Sequence, residues 1–238
     1  MKKGKKRIFI WLGIVIGVVV LAFLSFGLVF YLQIQKMTPA ETGPVNDSVF
    51  CVKDDFVNVY LFRGTDGYLL VDAGFGKEGM AAGLEQLGIR PEEIKNVLLT
   101  HADGDHIGGM GLFPDAGIYM HTDEEQMVNG ENAKFIFSTY IWEFGPYTLF
   151  NTNDTFSLDG WHVQVIHTPG HTPGSCCFLL DGKYLLTGDN TVLKDGKFEH
   201  FVSFFNMDTE TQEISIQQLP DPNSVKYILT AHHGVFRN

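Results

Sequence analysis

Residues 100–109 read Thr-His-Ala-Asp-Gly-Asp-His-Ile-Gly-Gly, and this stretch gives the strongest indication of the fold. It follows an apolar run at 97–99 that predicts a strand. Two imidazoles and two carboxylates fall within six positions, and the glycines permit a turn tight enough to point all four side chains into one space. Imidazole and carboxylate together suit zinc, iron or manganese. Alone, the stretch could also be a capped loop with surface histidines.

Four further apolar runs end in residues of the same ligand type, each with a glycine close by. Asp72 follows 69–71, His171 follows the alternating run 161–166, Asp189 follows 185–188, and the pair His232-His233 follows 228–231. Because strand-to-loop turns cluster along sheet edges, we expect the five segments to gather at one edge. One such ending carries little information, whereas five in order predict a shared site.

From about Val45 to the C-terminus, the order and content of these segments resemble the metallo-β-lactamase fold superfamily. The family pattern of the second segment is His-x-His-x-Asp-His, and Asp103 stands where the second histidine is expected. Related oxygen-reducing di-iron members carry an acidic residue there, so the departure is compatible with metal binding. The resemblance implies an α+β fold, a four-layer αββα sandwich, and an enzyme of the glyoxalase II or lactonase-like branch.

The resemblance also implies a site for two divalent metal ions, zinc in the first instance. The carboxylate of Asp103 makes iron or manganese alternatives. The implied ligands are His101, Asp103 and His171 for the first position, Asp105, His106 and His233 for the second, and Asp189 bridging both. Asp72 would lie behind them and accept a hydrogen bond from a ligand imidazole. His233 is preferred over His232 because the family motif ends in His-Gly.

The chemistry implied by these ligands is hydrolysis of a small-molecule ester, thioester or lactone. Two metal ions can share a water and lower its pKa from about 15.7 toward about 7. By resemblance, Asp105 would be the catalytic residue that orients this water and passes a proton to the leaving group. The alternatives are a metal-dependent phosphodiesterase, an iron-dependent sulfur dioxygenase, and a non-catalytic metal-binding module.

The N-terminus predicts a membrane anchor. Residues 1–7 form a basic cytoplasmic segment, 8–32 an uncharged transmembrane helix, 33–47 a tether, and 48–238 the metallo-β-lactamase-like domain. The 25 uncharged positions would make a helix of roughly 37 Å, enough for a hydrocarbon core of about 30 Å. The basic cluster should stay inside, which places the domain outside the cytoplasm on a single-pass chain in the cell membrane. A cleaved signal peptide is the alternative, with Thr38-Pro39-Ala40 as its best but poor cleavage site.

The charge of the chain argues against nucleic acid as a partner. The formal net charge is −11, and five of the 17 Lys and Arg lie within the first seven residues. The rest of the chain contains the other twelve Lys and Arg and all 28 acidic residues, so its formal charge is −16. A groove for phosphate backbones needs the opposite sign.

Other segments predict local structure and possible cleft residues. The aromatic stretch 135–150, with Tyr140 and Trp142, could form a satellite core, an aromatic wall over the metal cleft, or a membrane contact. His200 could also line the cleft, whereas His121, His162 and His167 are expected to be structural or surface residues.

Met80, Leu84 and Leu87 predict a helix ended by Gly88. Residues 208–218 predict a helix capped by Asp208, with Ile214 and Leu219 near its apolar face. The three cysteines, Cys51, Cys176 and Cys177, are expected to be buried free thiols.

Overall fold

The apolar runs of the sequence form strands in a computed structural model of the protein, which describes residues 2–134 and 141–238. Tyr140 lies outside the described residues. Within these ranges the α-helices are α1 (Lys2–Ile34), α2 (Lys77–Leu87), α3 (Gly104–Ile107), α4 (Glu125–Val128) and α5 (Thr209–Ser215). The strands are β1 (Gly43–Pro44), β2 (Val49–Asp54), β3 (Val57–Arg63), β4 (Tyr68–Val71), β5 (Ile94–Leu98), β6 (Gly117–His121), β7 (Thr148–Phe150), β8 (Thr155–Leu158), β9 (Trp161–His167), β10 (Cys176–Leu180), β11 (Tyr184–Gly188), β12 (Thr191–Lys194), β13 (Lys197–His200), β14 (Tyr227–Thr230) and β15 (Gly234–Arg237).

The first sheet contains β1 to β7 in chain order. Strands β1 to β4 pair antiparallel, and β4 to β7 pair parallel. Parallel neighbours end at the same edge of a sheet, so the residues after β4 and β5 meet there. The amide of Asp72, directly after β4, donates a hydrogen bond of 3.0 Å to the carbonyl oxygen of Leu98 at the end of β5. This edge therefore brings Asp72 beside the segment that carries His101.

The second sheet has the order β15-β14-β11-β10-β9-β8. Its one parallel pair within the described residues, β11 with β14, aligns Gly188 with Thr230, so Asp189 and the two histidines after β14 emerge at one edge. Strand β9 pairs antiparallel with β10 and ends at His167, four residues before His171. The second sheet thus supplies the other three ligand-bearing segments.

The two sheets pack face to face and share a core. Phe62 of β3 and Phe178 of β10 are fully buried between them, whereas Cys177 faces the opposite side of β10, as the two-residue period of a strand requires. Helix α2 covers the outer face of the first sheet with Met80 and Leu84. The outer face of the second sheet packs against β12, β13 and the segment after α5. These mixed sheets and helices agree with the fold that the resemblance implied.

Two predicted helices differ in how well the sequence described them. Helix α2 ends at Leu87 as predicted, and Gly88 follows in the left-handed conformation with φ of 68°. Helix α5 is capped by Asp208, whose Oδ1 accepts a hydrogen bond of 3.0 Å from the amide of Thr211. The expected place of Ile214 on an apolar face is wrong, however, because Ile214 is 62% exposed and the buried residues of this helix are the polar Gln212 and Ser215.

The chain divides into two compact units near its N-terminus. One compact unit comprises residues 1–37 and contains α1, and a second comprises residues 38–238. Residues 9–34 of α1 are long and apolar enough to cross a membrane by length and composition. Residues 38–47 of the predicted tether fall in the second unit. The amide of Thr38 donates to the carbonyl oxygen of His232 at 2.8 Å, and the amide of Ala40 donates to Oδ1 of Asn58 at the same distance.

Candidate metal centre

The predicted ligand segments meet between the two sheets and form two neighbouring groups of side chains. We call the first cluster His101, Asp103 and His171, and the second cluster Asp105, His106, Asp189 and His232. Within each cluster, one ligand atom from every residue lies within 4.8 Å of all the others. The histidines and Asp189 are buried, whereas Asp103 and Asp105 are partly exposed.

In the second cluster, two imidazoles contact one oxygen of Asp189, and Asp105 lies beside them. Nε2 of His232 lies 3.0 Å from Oδ1 of Asp189, and Nε2 of His106 lies 3.2 Å from the same atom. Oδ2 of Asp105 lies 3.5 Å from Nε2 of His232. These separations match those between ligands that share one small cation, because each ligand atom would lie about 2.0–2.2 Å from it.

The first cluster is organised around Asp103 and the other oxygen of Asp189. Oδ2 of Asp103 lies 3.0 Å from Nε2 of His171 and 3.5 Å from Nε2 of His101. Nε2 of His171 also lies 3.3 Å from Oδ2 of Asp189. Asp189 therefore turns one oxygen to each cluster, which is the bridging position that the resemblance implied. The ammonium of Lys134 lies in the same space and contacts both Oδ2 of Asp103 and Nε2 of His171.

Every imidazole in the two clusters is held through its Nδ1, which leaves Nε2 pointing inward. The Nδ1 partners are Thr100 Oγ1 for His101 at 3.1 Å, Asp72 Oδ2 for His106 at 2.9 Å, Asn206 Oδ1 for His171 at 3.1 Å and Phe56 O for His232 at 2.8 Å. The contact of Asp72 with a ligand imidazole is the one that the resemblance predicted. A carbonyl or carboxylate acceptor fixes the proton on Nδ1 and leaves a lone pair on Nε2, the form that binds metal.

The donor atoms fit a metal ion because several of them have no other partner. Within the described part of the chain, Nε2 of His101, His106 and His232 and Oδ1 of Asp189 are buried without a hydrogen-bond partner. Buried polar atoms are costly to leave unpaired, so four at one place indicate a missing common partner. Neutral imidazoles and carboxylates are suitable ligands for zinc, iron or manganese. The residues present therefore fit a metal centre.

The electrostatics of the centre keep the carboxylates of Asp189 and Asp103 charged. Burial opposes charge, yet the imidazoles of His232, His106 and His171 hold the pKa of Asp189 well below its ordinary value. Against the same opposition, the ammonium of Lys134 and the two nearby imidazoles hold the pKa of Asp103 well below its ordinary value. Both carboxylates are consequently ionised at neutral pH, which is the state that binds a cation.

The sequence of residues 52–230 matches the family model of the metallo-beta-lactamase superfamily. This range includes every residue of the two clusters except His232. The chain belongs to the metallo-beta-lactamase superfamily. Like its relatives, it is an enzyme of the hydrolase kind.

Relatives of this superfamily act on different acyl compounds. The chain is 25% identical over 228 residues to the acyl-coenzyme A thioesterase MBLAC2 of Gallus gallus, covering 81% of this chain and 80% of that protein. It is 28% identical over 191 residues to an N-acyl homoserine lactonase of a Bacillus species, covering 68% and 74%. Among solved structures, the MIM-2 metallo-beta-lactamase superposes with a TM-score of 0.64 at 19% identity, covering 85% of this chain and 82% of that one. The structural likeness supports the fold.

One ligand assignment from the sequence needs correction. The imidazole that faces the second cluster belongs to His232, whereas the expected His233 is half-buried and lies edge-on to Phe201 with ring centroids 6.4 Å apart. The turn after β14 causes the difference: the amide of His233 donates to Oγ1 of Thr230 at 3.0 Å. The ring of His232 stacks between Phe56 and Phe201, with centroids 5.8 and 5.4 Å away.

The possible cleft residues do not join either cluster in the described part of the chain. His200 donates from Nδ1 to the carbonyl oxygen of Phe201 at 2.6 Å, and its Nε2 lies 3.4 Å from Glu213. Trp142 packs against the core under α2, and its Nε1 donates to the carbonyl oxygen of Gly145 at 2.7 Å. For Trp142, the satellite-core interpretation of the aromatic stretch is therefore the better one.

A third group, His121, Asp123 and His167, also brings ligand-type atoms within 4.8 Å of one another. The two rings stack at 4.0 Å with planes only 15° apart, so no ion could lie in the plane of both. Oγ1 of Thr152 lies 3.2 Å from a nitrogen of each ring, and Nε2 of His167 donates to Pro173 O at 2.9 Å. Burial and the neighbouring His167 lower the pKa of His121 to about 4. These histidines are structural, as expected.

The buried Gln212 of α5 links the ligand segments of the second sheet. Its Nε2 donates to the carbonyl oxygen of Asp189 at 3.2 Å, and its Oε1 accepts from Nδ2 of Asn206 at 2.7 Å. Asn206 in turn contacts Nδ1 of His171. The polar face of α5 thus orients two metal-ligand candidates, which explains why this helix does not present an apolar face.

Glu124 is a second positioning residue, and no sequence pattern predicted it because it lies between the motifs. The side chain is 1% exposed. Its Oε1 accepts from the amide of Ala102 at 2.8 Å, and its Oε2 accepts from Oγ1 of Thr172 at 2.6 Å and from the amide of Gly174 at 3.0 Å. A Cβ at Gly174 would lie 2.2 Å from the backbone nitrogen of Glu124, so this approach requires glycine. One carboxylate therefore ties the loop of His101 and Asp103 to the loop of His171.

We expect Glu124→Gln to destabilise the fold by about 1–3 kcal/mol, because an amide NH₂ would face a hydrogen-bond donor at one of these contacts. The measurement is urea unfolding at pH 8, above the value of about 7 to which burial raises the pKa of Glu124. Zinc affinity should fall as well, since the two ligand loops would separate. The exposed Glu131→Gln is the control. Equal stability and zinc affinity in the Glu124 variant and the control would contradict the role.

Proposed function

We propose that this protein is a membrane-anchored, metal-dependent hydrolase that cleaves an ester, with a thioester or lactone as the favoured substrate. The observation that carries the proposal is the convergence of buried, unpaired nitrogen and oxygen atoms around Asp189. The thioesterase and lactonase among the relatives support the class of bond. Two divalent ions would fill the centre, zinc in the first instance, with iron or manganese as alternatives because of Asp103.

The residues of the second cluster would have different roles in hydrolysis. A filled centre would supply an activated water and an electrophile for the substrate carbonyl. The side chain of Asp105 is 20% exposed, against 5% for Asp189, so Asp105 is the carboxylate of the second cluster that water and substrate can reach. Its carboxylate can accept the proton of the attacking water through the oxygen that is not a ligand and return the proton to the leaving sulfur or oxygen. The buried side chains of His106, His232 and Asp189 hold the geometry and exclude bulk water.

An apolar wall beside the second cluster supports a substrate with an apolar acyl group. Phe56 stacks on the ring of His232 and lies 5.3 Å from Phe75, which is 51% exposed. On the other side, the buried Phe201 contacts both His171 and His232, with ring centroids 5.6 and 5.4 Å away. Exposed aromatic surface beside convergent polar groups is typical of a ligand-binding site.

Asp105→Ala should lower kcat on the best substrate by about 10²–10⁴-fold with the fold intact, because the variant loses the proton-transfer group and a metal ligand. The assay is a panel of chromogenic thioesters, lactones, esters and phosphodiesters with zinc-, iron- or manganese-loaded protein. Preference for a thioester or lactone supports the proposed bond class, and preference for a phosphodiester contradicts it.

The matched control is Asp115→Ala, because Asp115 is exposed and lies outside both clusters. This variant should retain wild-type turnover. Turnover by Asp105→Ala within about threefold of the control would overturn the role given to Asp105.

We also propose that α1 remains attached and holds the domain outside the cytoplasm at the cell membrane. The basic N-terminal cluster and the uncharged helix support this orientation. The contact of Thr38 with His232 gives a second argument, because cleavage after Ala40 would remove a hydrogen bond from the residue that carries a metal-ligand candidate.

N-terminal sequencing of the protein from its native membrane fraction tests retention of the helix. A chain that begins at or near Met1 is expected, and a soluble chain that begins near Glu41 would refute the anchor. Protease added to intact cells should cleave the domain, whereas full protection in cells whose envelope admits the protease would place the domain inside.

A further inference from the structure

The ammonium of Lys134 lies inside the first cluster rather than at its rim. It contacts Oδ2 of Asp103 and lies 2.7 Å from Nε2 of His171. The side chain of Lys134 is only 7% exposed, which is unusual for a lysine unless its charge is paired. The partner is Asp103, the residue at which this chain departs from the histidine of the family pattern. An imidazole at this position would give the ammonium no negative charge to pair with.

The ammonium and a metal ion would need the same space. Two of the three ligand atoms of the first cluster are the atoms that Lys134 contacts. A metal ion about 2.0–2.2 Å from each of them would lie within the volume of the ammonium. Two cations at that separation repel strongly, so occupation by one excludes the other.

Among the described residues, no lysine or arginine side chain lies in the second cluster. Its carboxylates, Asp105 and Asp189, face the two imidazoles of His106 and His232, and three of its inward-pointing atoms are unpaired. Among the buried atoms of the first cluster that the structure describes, only Nε2 of His101 has no hydrogen-bond partner, and Lys134 already neutralises the charge of Asp103. The attraction for a divalent ion is therefore stronger in the second cluster.

We propose that Lys134 is an intramolecular competitor for the first metal position. The second cluster fills first, and an ion enters the first cluster only by displacing the ammonium from Asp103 and His171. The flexible four-carbon stem of lysine allows this displacement. Lys134 thus sets how many ions the protein holds at a given metal concentration. This inference rests on the metal centre of the proposed function and extends it to regulation of that centre.

A zinc titration of chelator-treated protein tests the inference. Calorimetry measures the binding steps, and metal analysis of dialysed samples counts the bound ions. The wild-type protein should bind zinc in two separate steps, of which Asp105→Ala identifies the step that belongs to the second cluster. Lys134→Met should tighten the weaker step on the order of tenfold or more and leave the stronger step unchanged, because the competing charge is gone. Lys194→Met is the matched control, since Lys194 forms an exposed ion pair with Glu199.

An unchanged or weakened second step in Lys134→Met would overturn the inference, because it would show that Lys134 does not compete with the ion. If Lys134→Met unfolds, Lys134→Gln serves the same purpose with a polar side chain, and its weaker step should tighten likewise. The titration uses zinc alone and no substrate. Absence of any zinc binding would therefore refute the proposed function, whereas two steps unaffected by either Lys134 variant would refute only the competition.

Discussion

The carboxylate of Asp189 is the group that the ligand segments of both sheets contact. Its two oxygens face different clusters, and the imidazoles around them come from segments of both sheets. This arrangement requires the parallel strands of each sheet to end at the same edge. A change of register in either sheet would move a whole set of ligands to the opposite face. The site therefore depends on the fold at its most constrained place, the pairing of β11 with β14 and of β4 with β5.

The burial of charged and polar groups around Asp189 also lowers the stability of the fold. Ionised carboxylates and imidazoles are buried together with several polar atoms unpaired, an arrangement that costs stability unless a common partner compensates it. Asp72 adds backbone strain, because this non-glycine residue has a φ of 62°. In return, its carboxylate reaches both the amide of Thr100 and Nδ1 of His106. Strain and unpaired charge at one site indicate function rather than stability, and the network around Glu124 and Gln212 holds that site in place.

Sequence patterns predicted the residues at strand ends, because apolar runs, glycines and ligand-type side chains leave a local signal. The turn between β10 and β11 also follows its sequence, because Asp181 and Gly182 adopt the left-handed conformation that this dipeptide favours. The choice between His232 and His233 could not be made in this way. The turn between β14 and β15 determines which ring faces inward, and that turn depends on contacts with Thr230, Phe56 and Thr38.

The roles of residues that lie between the motifs could not be predicted from the sequence either. Glu124 and Lys134 lie in a stretch without periodicity, and their partners are at least 22 residues away along the chain. Ile214 suggested an apolar helix face, yet α5 packs against the loops that carry the ligands, so its buried residues are the polar Gln212 and Ser215. Long-range polar contacts of this kind follow from the assembled fold and leave no local pattern.

The central claim is that the atoms around Asp189 bind a metal ion. Diffraction data from crystals of the zinc-loaded protein, collected on both sides of the zinc absorption edge, test it most directly. The structure predicts an anomalous peak about 2.0–2.2 Å from Nε2 of His106, Nε2 of His232 and a carboxylate oxygen of Asp189. An ordered second cluster with no anomalous density beside Asp189, at full zinc loading, would contradict the claim.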